Sequence, residues 1–351
     1  KRRSRFLSQA KKIEWSQETV LVTGAAGFIG SNLVDELVRR GSQVIALDDC
    51  SVGNPKNLDE ARASGRVEFV QGSILDRDLM AKLAARSSVV LHLAVACLRV
   101  CFDKPTHVHD VNATGTLCLL EECQKHCPDL KRFVYCSSSE IYGTALTAPM
   151  DEQHPLNPTT VYGASKLAGE LYTQAFVRTY NMPALIVRPF NTYGYREHHE
   201  GASGEVIPRF LVRLRNQLSP VIFGDGLQTR DFTFVTDTVK GLLAAAECDA
   251  LIGDAINIAR GEEVSIRKIA ELLLELTGNS QMEVQYEDAR PADVMRHYAD
   301  VTKAEKILGY KATLGIREGL KLYIDWFSKV HGDPSQLLAE VHDQNWVLPG
   351  V

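Results

Sequence analysis
Tyr162 and Lys166 stand four residues apart, and about twenty residues ahead of them lies the run Ser137-Ser138-Ser139-Glu140. On a helix that spacing is one turn, so an ammonium would sit beside a phenol. A neighbouring cation favours the phenolate and brings a tyrosine pKa down from about 10 toward working pH, where Tyr162 can take a proton from an alcohol. Ser138 carries a hydroxyl that can donate and accept a hydrogen bond. Strand alternation puts Ser138 and Glu140 on one side if the extended run before them continues, and a carboxylic acid there can serve as a further general acid/base.

A second pattern supplies an oxidant for that alcohol. Gly24, Gly27 and Gly30 join a predicted strand to a predicted helix at G-x-x-G-x-x-G spacing. Glycine lets the backbone approach a pyrophosphate closely, and the helix start contributes N–H groups and the positive end of its dipole. Asp48 ends the next strand 18 residues beyond Gly30. A carboxylate there accepts hydrogen bonds from a ribose 2′-hydroxyl and repels a 2′-phosphate, which selects NAD over NADP. A glycine turn with no ligand is the plainer alternative.

These groups need a scaffold. Apolar runs at 19–23, 43–47, 67–71, 88–93, 132–137 and 184–189 read as buried strands, with helical patterns near 29–40, 76–86, 107–127 and 160–180 between them. The rhythm predicts an α/β fold, a Rossmann-type doubly wound parallel sheet. After Pro189 it breaks into a segment dense in Gly, Pro and charge, and 233–247 then reads as a return to the sheet and a helix. Helices near 265–277 and 316–329 and a strand near 282–286 complete a smaller α/β substrate-binding lobe. The expected division is a basic extension over 1–18, an NAD-binding domain over 19–188 plus about 232–258, a substrate lobe over 189–231 plus about 259–330, and a loose tail over 331–351.

Charge narrows the class of partner. The net charge is −5, but six bases and no acid fall in the first twelve residues, leaving 33 bases against 44 acids, or −11, in the remainder. An acidic body argues against a general nucleic-acid binder. The basic start is a solvated extension or an arm for nucleic acid or membrane, and it lacks the interleaved aromatics and long apolar face of such arms. No stretch approaches the roughly 18 apolar residues of a membrane span, and the N-terminus shows no apolar signal core, so a cytoplasmic protein is expected. Eight cysteines suit that compartment as buried free thiols. Cys97 with Cys101 and Cys123 with Cys127 have a spacing two helical zinc ligands share, but without Cys-x-x-Cys spacing or histidine partners, and no metal is expected.

With Gly24-x-x-Gly27-x-x-Gly30, the serine run at 137–139 and Tyr162-x-x-x-Lys166 in order, the chain resembles the extended short-chain dehydrogenase/reductase family, specifically its NAD-dependent nucleotide-sugar epimerases and dehydratases. The stretches 91–95, 111–116, 188–194 and 224–237 carry the likeness over about residues 19–330. The resemblance implies that Phe28 and Ile29 join the glycines against the cofactor, with Asp48 and Asp49 at the adenosine ribose and Ser73 and Ile74 near adenine. It places Leu93, Ala94 and Val95 along the cofactor, Asn112 by the nicotinamide-side strand and Pro189 near the nicotinamide. Ser138, four residues before Tyr142, would hydrogen-bond the reacting hydroxyl, and with Ser139, Asn191, Arg196, Arg230 and Arg290 it would face a nucleotide-diphosphate sugar. Arg230 and Arg290 would grip its diphosphate, since a guanidinium is permanently charged and bidentate; exposed ion pairs are their plain alternative. Two departures stand out. Ser73 replaces a frequent Asp, and the stretch 94–105 is one residue shorter than the usual pattern, which leaves Arg99 without a role.

In such enzymes hydride leaves a sugar carbon for NAD and a ketone forms, with the protein supplying orientation and proton handling. A 4-epimerase returns the hydride to the other face. A 4,6-dehydratase must also remove the C5 proton and protonate the departing C6 hydroxyl, for which a carboxylic acid is suitable. Glu140 resembles the family's dehydratases, and its uronate decarboxylases too. The expectation is a 4,6-dehydratase, then a 4-epimerase, then a nucleotide-uronate decarboxylase, then an NAD-sensing protein without catalysis. Arg196, His198, His199 and Glu200, in the segment 193–210, read equally as a lid or charged-sugar contact and as a solvated loop. The helices near 107–127 and 160–180 resemble the pair through which this family forms a four-helix-bundle homodimer.

Overall fold
The computed structural model describes residues 12–290 and 293–341. In chain order the strands are β1 (Thr19–Thr23), β2 (Gln43–Asp48), β3 (Val67–Gln71), β4 (Val89–His92), β5 (Arg132–Cys136), β6 (Ala184–Pro189), β7 (Asn191–Tyr193), β8 (Val221–Phe223), β9 (Thr229–Arg230), β10 (Phe232–Phe234), β11 (Ala255–Ile258), β12 (Val264–Ser265) and β13 (Gln285–Glu287). β1 to β6 and β11 form one parallel sheet in the order 3-2-1-4-5-6-11. β4, β5 and β6 are buried along their whole length, as strands covered on both faces must be, and that is why they read as unbroken apolar runs. The strand order reverses between β1 and β4, which opens a crevice beyond the carboxyl ends of the strands.

The main helices are α1 (Phe28–Arg39), α2 (Arg77–Ala84), α3 (Thr116–His126), α4 (Val161–Tyr180), α5 (Val206–Arg215), α6 (Val235–Glu247), α7 (Ile266–Leu276), α8 (Ile316–Val330) and α9 (Pro334–Glu340). α4 carries Tyr162 and Lys166, and its ends are well defined. The Thr160 hydroxyl accepts a hydrogen bond from the Gly163 N–H at 3.1 Å, and Asn181 ends the helix with φ 59°. α4 is held to β6 by a buried pair, Arg188 Nε and Nη2 on the Glu170 carboxylate at 2.9 and 2.8 Å.

The fold differs from the sequence reading in four places. The helix expected over 107–127 is interrupted by a π turn at Asp110–Gly115, where Gly115 lies so close to Ile74 that a Cβ would come within 2.6 Å of its side chain. The expected return to the sheet at 233 does not occur: β10 pairs with β7, and β11 supplies the seventh strand beside β6. Asp231 explains the diversion. Its carboxylate accepts the backbone N–H groups of Arg260, Gly261 and Ala299 at 3.0, 2.9 and 3.2 Å, which ties this segment to the smaller lobe.

At the chain ends, residues 12–18 pack rather than extend. Ile13 and Trp15 are buried in the main core, and the Trp15 indole N–H donates to Glu247 at 2.5 Å. Burying an indole body with its N–H satisfied outweighs leaving the segment in water. Residues 1–11, where most of the basic start lies, are outside the described residues. The tail is docked as far as Glu340: Leu337 is buried and Asn216 donates to the Pro334 carbonyl at 2.8 Å. Residues 342–351 lie outside the described residues. Among the described residues no helix is long and apolar enough to cross a membrane. All eight cysteines lie among the described residues and none forms a disulfide.

Candidate active site
A cavity of about 440 Å³ occupies the crevice, lined by the segments that leave β1, β2, β3, β4, β5 and β6 and closed by the smaller lobe. Its floor is the glycine loop, with Phe28 and Ile29. Gly24 has φ +69°, and a Cβ there would lie 2.8 Å from the Ala94 nitrogen; one at Gly30 would lie 2.0 Å from the Gly24 carbonyl oxygen. Only glycine leaves room for the turn, and the open backbone at the start of α1 suits a dinucleotide pyrophosphate.

Asp48 stands beside this loop, nearly buried, accepting the N–H groups of Ala26 at 2.9 Å and Cys50 at 2.8 Å. Burial pushes its pKa up against those two bonds. Asp49, Ser73, Ile74, Leu93, Ala94, Val95 and Pro189 also border the cavity. Asn112 does not. Its amide oxygen accepts the Ala96 N–H at 2.8 Å and its nitrogen donates to the Ala96 carbonyl at 3.1 Å and the Ser165 hydroxyl at 3.0 Å. The π turn sets it one layer behind the wall, where it shapes the segment after β4.

At the far end the strand stops at Cys136, so the alternation expected through Glu140 does not hold. Ser138 instead caps a 3-10 turn at Ser139–Ile141, its hydroxyl oxygen accepting the Glu140 N–H at 3.2 Å. The turn nevertheless brings Ser138, Ser139 and Glu140 all to the cavity, with Tyr162 and Lys166 across from them. His297, which no sequence pattern singles out, braces the turn from behind: its Nε2 donates to the Ser139 carbonyl at 3.1 Å and its ring packs on Phe190.

The Tyr162 phenol is hydrogen-bonded to Ser138. Burial pushes its pKa up, the Glu140 charge adds to this, and the Ser138 bond opposes both. The net shift is upward, opposite to the lowering expected from Lys166. The Lys166 ammonium donates to the Cys136 carbonyl at 2.5 Å and lies 4.7 Å from the centre of the Tyr135 ring, and burial brings its pKa down to about 8.

The smaller lobe supplies Asn191, Arg230 and Arg290 to the cavity. Asn191 has a buried amide oxygen without a hydrogen-bond partner. Both arginines contact Asp293, at 2.7 and 2.6 Å, so they are paired and cavity-facing at once. Arg196 is not at the cavity. It pairs with Asp35 of α1 at 2.6 Å, pinning the outside of the segment after β7. The same segment brings His198 and Glu205 inside, and Arg99, left without a role by the sequence, meets Glu205 there. His199 bonds Glu340 of α9 at 3.1 Å. These contacts join residues more than a hundred positions apart, and no local pattern announces them.

A glycine cradle for a dinucleotide, opening onto a serine, a tyrosine and a lysine at the sheet's switch point, defines an α/β enzyme that works with a nicotinamide cofactor. The profile of the NAD dependent epimerase/dehydratase family matches residues 20–259, and the chain belongs to that family. It is 37% identical over 310 residues to the putative UDP-glucose 4-epimerase of Methanocaldococcus jannaschii, covering 88% of this chain and 97% of that one. It is 33% identical over 322 residues to the dTDP-D-glucose 4,6-dehydratase of Bos taurus, covering 88% of each. A crystal structure of a dTDP-glucose 4,6-dehydratase from Streptomyces venezuelae with NAD and TYD bound superposes with a TM-score of 0.84 at 28% identity, over 90% of this chain and 98% of that one. The protein is thus an NAD-dependent enzyme of nucleotide sugars.

Proposed function
We propose that the enzyme oxidises C4 of a nucleotide-diphosphate hexose and carries the resulting ketone on to 4,6-dehydration. The observation that carries this reading is Glu140, which borders the cavity beside Tyr162 and Ser138. NAD held in the glycine cradle would supply the redox chemistry, taking up the C4 hydride and giving it back at C6 as Tyr162 returns its proton to C5. As the phenolate, which the positive nicotinamide ring would favour against the burial that raises its pKa, Tyr162 takes the C4 hydroxyl proton, with Ser138 orienting that hydroxyl and Lys166 locking the turn of α4 against the end of β5. Glu140 then removes the C5 proton, made acidic by the ketone, and delivers a proton to the departing C6 hydroxyl. Asn191, Arg230 and Arg290 hold the diphosphate.

Mass spectrometry of products from a panel of UDP-, dTDP-, GDP- and CDP-sugars tests this. A product lighter by one water supports dehydration; an unchanged mass with inverted C4 sinks it in favour of 4-epimerisation. That second reading is supported by the Methanocaldococcus relative, named a putative 4-epimerase. Tyr162→Phe is expected to retain NAD and lose at least about a thousandfold in turnover under either reading.

The proposal extends to assembly and location. A homodimer through the outer faces of α3 and α4 is supported by Leu171 and Tyr180, large apolar side chains left exposed on α4. Sedimentation at monomer mass would dismiss it. A cytoplasmic enzyme is supported by eight cysteines that form no disulfide. The cofactor domain is taken as 19–188 with about 232–258, and the substrate lobe as 189–231 with about 259–330.

A further inference from the structure
Arg99 and Glu205 meet at the sugar end of the cavity from opposite lobes. Arg99 follows β4, and Glu205 immediately precedes α5. The Arg99 Nη1 and Nη2 donate to the two Glu205 carboxylate oxygens at 3.1 and 2.9 Å, a bidentate pair in which Arg99 is nearly buried while Glu205 stays about 40% accessible. Glu140, Arg99 and Glu205 all border the cavity, and the Glu140 charge acts on both Arg99 and Tyr162.

A sugar acid reaching this place needs a cation with an unfilled donor fork. Both Nη groups of Arg99 are taken by Glu205, which leaves its buried Nε as a single donor rather than a fork; of the other cations lining the cavity, Arg209 lies over the Phe223 ring and His107 is exposed. Lys166 is committed to the Cys136 carbonyl, and Arg230 and Arg290 to Asp293 at the diphosphate end. Burial holds the His198 imidazole below its ordinary pKa, toward the neutral form. An incoming carboxylate would therefore face Glu140 and Glu205, or else displace Glu205 and leave that charge unpaired beside it. A hexose with a C6 hydroxyl meets neither penalty.

We infer that Glu205 sets the sugar selectivity of the enzyme: by occupying the Arg99 fork it rejects nucleotide sugars with a C6 carboxylate and admits neutral hexoses. This rests on the proposed nucleotide-sugar reaction, and within it removes uronate decarboxylation from the activities open to the chain. Selectivity here is a repulsion built into the site as much as an attraction.

The test is calorimetric binding to the NAD-loaded protein of two matched pairs, UDP-glucose against UDP-glucuronate and dTDP-glucose against dTDP-glucuronate. Wild type is expected to bind the neutral member at least tenfold more tightly. Glu205→Gln, which frees the guanidinium, is expected to narrow that ratio at least tenfold, and adding Arg99→Met is expected to undo the gain in uronate binding. Equal binding of the two wild-type members, or a ratio that Glu205→Gln leaves unmoved, overturns the inference. Should Glu205→Gln fail to fold, the wild-type ratio decides alone. Because the readout is binding, a protein that turns over none of these sugars defeats the proposed reaction without touching the ratio; binding none of the four defeats both.

Discussion

At the cofactor end of the cavity Gly24 and Gly30 clear space for backbone, and the main polar side chain, Asp48, is itself held by two backbone N–H groups. Away from that end Arg99 pairs with Glu205 across 106 positions and Arg230 with Asp293 across 63, and Arg290 joins Asp293 from the same segment. The first arrangement is built by local conformation and tolerates few residue types. The second is built by paired side chains and can be re-tuned one pair at a time, which suits an α/β scaffold that keeps one cofactor and varies its substrate.

Gly30→Val should break the cofactor end most severely, since even a Cβ would lie 2.0 Å from the Gly24 carbonyl oxygen. NAD affinity is expected to fall by more than about a hundredfold, read by calorimetry, with a lowered Tm. The equivalent cut in the smaller lobe is Asp231→Ala, which leaves three backbone N–H groups without their acceptor. About 4 kcal/mol of stability is expected to go in urea titration, at a few kcal/mol for buried donors left unmet. A loss under 1 kcal/mol would mean water replaces the carboxylate easily and the lobe is looser than its contacts imply.

A subtler test sits where the two ends meet. Folding brings Lys166 down to about 8 from its ordinary 10.5, so between those values the unfolded chain binds more protons at this site and the wild type gains stability as pH rises. Relative to Lys166→Met, which has no such titration, the wild type should improve by up to about 3 kcal/mol from pH 8 to 10.5. Buried thiols and tyrosines beyond the reach of Lys166 cancel in the difference, while Cys136, on whose thiol the ammonium acts, changes with it; a flat difference would show the ammonium to be well solvated. Smallest of the set, Leu337→Ala should cost about 1–2 kcal/mol, because Leu337 packs at an edge and the gap can partly close.

How far the sequence reached follows the same division. The buried strands β1 to β6 were legible because a covered parallel strand is apolar throughout, and the glycine loop because its spacing is a backbone requirement. Glu140 was found for a reason that did not hold: the strand ends before it, and a capped turn delivers it instead. Arg196 was misplaced and Arg99 left without a role because an arginine's partner is chosen by tertiary proximity. Asp35 and Glu205 stand 161 and 106 positions away from them. β10 looked like a sheet strand by composition, and only the bonds of Asp231 show why it is drawn elsewhere.

The segment from Arg196 to Glu205 is tied at three points: to α1 through Asp35, to α9 through Glu340 and to the loop after β4 through Arg99. It is therefore not a cassette. Swapping it for the matching loop of a relative would strand an acid or a base at each of three remote positions, so inheritance of a new sugar preference has to proceed by matched changes at residues 35, 99 and 340 rather than by loop exchange alone.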